Sequence, residues 1–324
     1  MSVAVRVSAT TSNLGAGFDC VGAAVDRVLT LEADVGGRAP LTLQRAGTLT
    51  TLSAAHEHDL LVTGFHAACD RAGRAVPHGL RLRASSSIPV GRGLGSSAAA
   101  LVAGAVAANA LLGLSLSDAE LLALGTEIEG HPDNVAPALF GGAVLAVRAP
   151  GGGALTTPIH VHETLRFAFA VPGFGVDTHR ARAALPATVS HAEARAAAAA
   201  SAALVLGLER GDEALLAAGL EGVLHIPYRE PLVPGFAAVV HAARDAGAAG
   251  ATLSGSGSAI VALARLEHAV AVANAMTRAW RALGIDADGF VSPPHRGGYE
   301  VALAPKAAAP GAPPASDFTR TEIS

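Results

Sequence analysis

The chain has 324 residues, 51% of them hydrophobic, enough for one large or two ordinary domains with a sizeable core. Its 23 Lys+Arg against 27 Asp+Glu leave a net charge of −4, so no field favours nucleic acid or an anionic membrane surface. Cys20 and Cys69, the two cysteines, exclude a disulfide framework, and the start MSVAVRVSAT lacks the regions of a signal peptide; the expected setting is the cytoplasm, with small-molecule partners.

Alternation of apolar and polar residues predicts strands at 3–7, 28–35, 41–45 and 80–83. Helical spacing predicts helices over 59–72, 96–112 and 117–129, the last opened by Ser117 and Asp118 and closed near Gly130. The apolar run 98–114 is mostly Ala and Gly and contains Asn109, so it reads as a buried helix and not a membrane span. A strand at 142–148 leads into the Pro/Gly cluster 150–153, the expected boundary between domains 1–152 and 153–304. The second half reads as α+β, with strands at 166–171, 251–253, 259–263 and 299–303 and helices over 177–184, 191–208, 212–222, 235–246 and 267–283. From Pro305 the composition turns to Pro and Ala, which predicts a disordered tail over 305–324.

The only lysine is Lys306. A Walker A loop, a protein-kinase strand lysine and a pyridoxal Schiff base therefore have no place in the body of the chain. The segment most informative about chemistry is IPVGRGLGSSAAA, 88–100, which opens the long apolar helix. Glycines 91, 93 and 95 let backbone N–H groups converge, and the helix adds unpaired first-turn donors and its positive dipole end, which together suit a phosphate. Ser96 and Ser97 stand where a hydroxyl could meet a phosphate oxygen or a magnesium ion. Taken alone, the segment also suits a serine-capped turn, and its spacing is not the GxGxxG of a dinucleotide turn.

PVGRGLGSSAA resembles the ATP motif PxGxGLGSSAA of the GHMP small-molecule kinases at every fixed position. Two more segments are similar to motifs of that family in the same order: VSATTSNLGAGFD at 7–19 and GATLSGSGS at 250–258. EGHPDNVAPALFGG at 129–142, RAALPATVSHAEA at 182–194 and LHIPYREPLVPG at 224–235 resemble its homoserine kinase branch most. The departures, Ser8, Thr11, Ser12 and Ala16, fall at backbone-stiffening or small-residue positions. Ser258 and Ala259 replace a Pro-Ser or Pro-Thr pair, which leaves Ser256 or Ser258 to supply a hydroxyl there.

The resemblance implies an α+β fold with a ribosomal protein S5 domain 2-like N-terminal half, a ferredoxin-like C-terminal half, and ATP with Mg2+ bound between them. It implies nucleotide contacts from Pro89, Val90, Gly91, Arg92, Gly93, Leu94, Gly95, Ser96, Ser97, Ala98 and Ala99, and from Gly255 and Gly257. Ser97 and Glu129 are the implied metal ligands, with Glu127 the alternative carboxylate on another side of the same helix. Homoserine is a zwitterion, so its site needs cationic donors for the carboxylate and a carboxylate for the ammonium. By motif position Asn13, Asp19, His131 and Asp133 line that site, Arg182 and Arg229 bind the carboxylate, and Thr178 lies near the transferring phosphate. Asp133 reads as a substrate-binding group first, with a general-base role as the alternative.

The implied activity is phosphorylation of the L-homoserine side-chain hydroxyl on the route to threonine. Another acceptor of the mevalonate, shikimate or threonine type, or a non-catalytic small-molecule-binding relative, are the alternatives, and a homodimer stays open. The string His56, Glu57, His58, Asp59 lacks a second ligand cluster, and Asp59 reads as a helix cap.

Overall fold

The computed structural model describes residues 2–53, 58–149, 153–293 and 297–304. In chain order the first half contains β1 (Ser2–Asn13), β2 (Gly17–Val35), β3 (Leu41–Gly47), α1 (Leu60–Arg71), β4 (Leu80–Ser86), α2 (Ser96–Leu112), α3 (Asp118–Glu129), α4 (Val135–Phe140), β5 (Ala143–Arg148) and β6 (Ala154–Ile159). There follow β7 (Leu165–Pro172), α5 (Thr178–Ala183), α6 (His191–Arg210), α7 (Glu213–Gly219), α8 (Ile226–Arg229), α9 (Phe236–Asp245), β8 (Ala248–Leu253), β9 (Ile260–Arg265), α10 (Leu266–Ala282), β10 (Ala287–Ser292) and β11 (Glu300–Ala304).

Two sheets organise the α+β chain. The first runs β11-β1-β2-β4-β3, with β5 on β2 and β6 on β5; the second runs β10-β7-β9-β8. Among the described strands, only β3 and β4 pair in parallel. Strands β6 and β11, which follow the expected 152/153 boundary in sequence, both pair into the first sheet.

Helix α2 lies at the centre of the first half, with every residue from Ala98 to Ala108 buried. A helix that is apolar all round belongs in an interior. No described helix is long and apolar enough to cross a membrane. Its neighbour α3 starts from a capping box, in which Ser117 accepts from the Glu120 N–H while the Glu120 side chain accepts from the Ser117 N–H. Such a cap contributes about 1 kcal/mol. α3 ends at Glu129, where Gly130 takes a left-handed φ of 85° and donates its N–H to the Thr126 carbonyl.

β1 continues to Asn13, well past the predicted 3–7, because the polar residues 8–13 are buried and bonded instead of solvated. β6, β10, α4 and α8 carry no signal that alternation or helical spacing could reveal; α4, for example, contains Pro137 and has its first five residues buried. The tail 305–324, residues 150–152 of the Pro/Gly cluster, and His56 and Glu57 lie outside the described residues.

Candidate active site

The glycine loop between β4 and α2 is held on two sides. Gly93 and Gly95 take φ of 76° and 63°, the left-handed region where a side chain is strained. A Cβ on Gly95 would overlap Thr10 Oγ1 of β1, and one on Gly93 would overlap the Ser254 carbonyl oxygen at the end of β8. The loop therefore sits on both halves of the chain. No described side chain caps α2, whose N-cap is Gly95, so its first turn leaves N–H groups available to an anion. Gly95→Ala is expected to raise the ATP KM at least about tenfold and lower the unfolding midpoint, since strain and overlap at one residue cost about 1–3 kcal/mol. Steady-state kinetics and thermal denaturation check this.

Val90, Gly91, Gly93, Gly95, Ser96 and Ser97 line one cavity of about 540 Å³ together with Gly255. The other residues expected at the nucleotide are not among those that line the cavity. The Arg92 guanidinium donates to the carbonyls of Val90 (3.1 Å), Pro172 (3.1 Å) and Gly173 (2.7 Å), tying the loop to the end of β7. Leu94, Ala98 and Ala99 are buried in the core, and the Ala99 N–H is already spent on the Gly95 carbonyl. Pro89 and Gly257 are not among the lining residues. Arg92, Leu94, Ala98 and Ala99 thus support the loop from outside the cavity lining.

At the helix end of the cavity Ser97 Oγ donates to Glu129 Oε2 at 3.3 Å. Burial raises the Glu129 pKa, and the Ser97 bond opposes that only in part. Glu127 is on the surface, paired with Arg71 at 2.7 Å, so of the two acids only Glu129 faces the loop. A half-buried carboxylate beside a serine hydroxyl and the start of a helix suits a hard cation shared with phosphate oxygens.

The opposite end is built from four elements. Asn13 and Asp19 flank the β1–β2 turn with φ of 70° and 56°, a strained conformation that Asn and Asp tolerate best. The Asn13 side chain holds the turn: its Oδ1 accepts from the Asp19 N–H at 2.9 Å and its Nδ2 donates to the Gly255 carbonyl at 2.8 Å. Arg182 of α5 grips Asp19 with two bonds of 2.9 and 3.1 Å. The loop after α3 supplies His131, whose Nδ1 is bonded to Asp133 Oδ1, which raises the imidazole pKa against the effect of burial. Asp133 is 1% exposed, and its second oxygen, Oδ2, has no partner.

Arg229 at the end of α8 is 2% exposed and forms no ion pair among the described residues. Burial lowers its pKa to about 10, helped by the nearby Arg182 charge. Both Arg182 and Arg229 line the cavity, as do Thr178 and Ser256, whose hydroxyls are 3.3 Å apart. Ser258 turns away and donates to the Phe174 carbonyl at 2.5 Å, which leaves Ser256 as the hydroxyl of the third glycine motif.

Sequence reasoning missed Asn134, which lines the cavity, accepts from Thr10 Oγ1 (2.7 Å) and donates to Ser12 Oγ (2.9 Å). Its signal was its place in EGHPDN beside Asp133. It also missed the apolar end formed by Leu49, Leu52, Leu60 and Leu61 with His58, residues from separate segments that share no motif. Asp59 caps α1, as expected, and pairs with Arg45 at 2.7 Å.

The family models for the GHMP kinase N-terminal domain and C-terminal region match residues 59–142 and 204–282. A homoserine kinase of Trichormus variabilis is 41% identical over 286 residues, covering 88% of this chain and 94% of the relative. One from Gloeobacter violaceus is 41% identical over 85% of this chain and 92% of the relative. The crystal structure of homoserine kinase from Cytophaga hutchinsonii superposes with a TM-score of 0.82 at 33% identity, covering 93% of this chain and 97% of that one. The crystal structure of L. major mevalonate kinase, at 19% identity and a TM-score of 0.67, shares the fold. With both family regions in place around one cavity and homoserine kinases aligned over most of its length, the chain belongs to the GHMP kinases, in their homoserine kinase branch.

Proposed function

We infer that the chain transfers the γ-phosphoryl group of ATP to the side-chain hydroxyl of L-homoserine, giving O-phospho-L-homoserine on the route to threonine. One observation carries the reading of the acceptor site. A single cavity holds a buried arginine, Arg229, and a buried carboxylate oxygen, Asp133 Oδ2, that have neither an ion pair nor a hydrogen-bond donor, respectively, among the described residues. A buried charge or acceptor is costly until it is paired. A ligand carrying a carboxylate and a hydroxyl supplies both partners.

The residues then divide by chemistry. Arg229 and Arg182 take the substrate carboxylate. Asp19, fixed by Asn13 and already charge-balanced by Arg182, takes the ammonium. Asp133, whose charge reaches Glu129 from the amino-acid end of the same cavity, accepts the hydrogen bond of the substrate hydroxyl. His131 at its other oxygen and Asn134 beside it hold the carboxylate in that orientation. Phosphoryl transfer needs in-line placement and neutralised charge more than covalent help from the protein.

The glycine loop and the α2 first turn bind the ATP phosphates through N–H groups, with the Thr178 and Ser256 hydroxyls across the cleft. Glu129 and Ser97 would hold a magnesium ion, which neutralises phosphate charge when bound. Residues before the 152/153 boundary supply the loop, Glu129 and Asp133, and residues after it supply Thr178, Arg182 and Arg229. The cavity therefore closes between the two proposed domains.

A coupled ADP-release assay tests this with MgATP and a panel of L-homoserine, L-threonine, L-serine, mevalonate and shikimate, with a Ser97→Ala variant alongside. Selective turnover of homoserine, sharply reduced in the variant, is expected. Preference for another acceptor would overturn the acceptor-site reading and keep the ATP site. No turnover of any of them would overturn the kinase reading itself.

A further inference from the structure

His225 plays no direct part in the chemistry above, yet it is 0% exposed and joins the two ends of the acceptor site. It precedes α8 and lies one helical turn from Arg229. Its Nε2 is 2.9 Å from the Gly15 carbonyl oxygen, inside the turn that presents Asn13 and Asp19. Its Nδ1 is 3.4 Å from an Arg229 terminal nitrogen. A carbonyl only accepts and a guanidinium only donates, so these partners admit one form of the ring: neutral, with the proton on Nε2 and the Nδ1 lone pair toward Arg229. Burial, first, and the Arg229 charge lower the His225 pKa to about 4, in keeping with that form.

A second contact locks the same group. The Phe18 ring stacks on the imidazole with centroids 4.8 Å apart and planes 17° from parallel, and the Arg229 guanidinium carbon is 5.1 Å from the Phe18 centroid. Phe18 adjoins Asp19, so ring, imidazole and guanidinium tie α8 to the start of β2. Arg229 has few other restraints. Its remaining bonds go to the carbonyls of Ala181 (3.3 Å) and Gly255 (3.4 Å), both long. A carboxylate at position 225 would hold the arginine more strongly but would neutralise the charge that the substrate is to meet. A neutral acceptor orients the guanidinium and leaves its charge for the ligand.

We propose that His225 is a positioning residue for amino-acid binding, a neutral donor–acceptor bridge that sets Arg229 in register with the Asn13–Asp19 turn. It acts through Arg229, and so rests on the reading that Arg229 binds the substrate carboxylate.

The test measures kcat and both KM values for the wild type, His225→Phe, His225→Gln, Arg229→Ala and the His225→Phe/Arg229→Ala double variant, after thermal unfolding of each. Phenylalanine keeps the stacked ring and removes both hydrogen bonds; glutamine can donate to Gly15 and accept from Arg229. His225→Phe is expected to raise the homoserine KM about tenfold and to move the ATP KM less than about twofold. Glutamine should recover most of the loss, and in the Arg229→Ala background the phenylalanine change should add less than about twofold. Equal rises in both KM values, an unchanged homoserine KM, no recovery with glutamine, or a full additive effect in the double variant would each overturn the proposal. If His225→Phe does not fold, His225→Met, which also lacks both hydrogen bonds, is read in its place. An Arg229→Ala variant with unchanged homoserine KM would overturn the underlying reading as well. A strong Arg229→Ala effect with a silent His225→Phe overturns the positioning role alone.

Discussion

Glu129→Gln is expected to lower kcat by about 10²- to 10³-fold, the loss that follows when one preorganised charge is removed from a transition state. The same variant, without ligands at neutral pH, should unfold at a temperature equal to or above that of the wild type. The two effects have one cause. Burial raises the Glu129 pKa, so the ligand-free fold holds its carboxylate in an unfavourable setting, eased only by Ser97 and by nearby cationic groups. Glutamine keeps the shape and removes the charge. The fold gains, while the site loses the ligand that a cation and the ATP phosphates require. Glu127→Gln serves as the control, because that exposed acid pairs with Arg71 away from the cavity, and its kcat should stay within about twofold, as is usual for a surface change. Steady-state kinetics over a Mg2+ series and thermal denaturation separate the two readings: a Glu129→Gln enzyme with near-normal turnover would remove Glu129 from the metal site.

Arg229→Ala is expected to raise the homoserine KM by roughly 30- to 10³-fold, the equivalent of about 2–4 kcal/mol for truncating one partner of a buried charge pair. Its ATP KM should change less than about threefold, because Arg229 is with the 13–19 turn and α5, and not with the glycine loop. The size of the effect follows from burial. A guanidinium 2% exposed that forms no ion pair among the described residues has its charge available for the substrate, whereas Arg182, 39% exposed at its side chain, already shares its charge with Asp19. Steady-state kinetics and homoserine titration check the prediction, and a homoserine affinity unchanged in Arg229→Ala would place the carboxylate elsewhere.

Much of the site was legible because its chemistry is clustered in the chain. The glycine loop, Ser97 and the EGHPDN string each put functional groups within a few residues, so type and spacing carry the message. Where two choices stood in one string, folding decided. Glu127 and Glu129 differ only in the side of α3 they occupy, and Ser256 and Ser258 only in which way one turn points them. For a related reason the expected nucleotide contacts include residues that do not line the cavity. A motif records every residue a loop needs, and Arg92, Leu94 and Ala99 are needed to hold the loop in place.

The sequence by itself determined the α+β class, the buried α2 helix, the capped start of α3 and the glycine loop that opens α2, because these depend on composition, periodicity and local backbone chemistry. Only the tertiary structure decided that the polar run 8–13 is the inner end of a central strand, since its side chains are satisfied by Asn134, Ser254 and Gly255, up to 243 residues away in the chain. It also decided that His225 meets Gly15 across 210 residues and that Arg229 is buried with no ion pair among the described residues. Hydrogen-bond partners and desolvation are properties of the packed neighbourhood, and no local pattern encodes which distant segment will fill it.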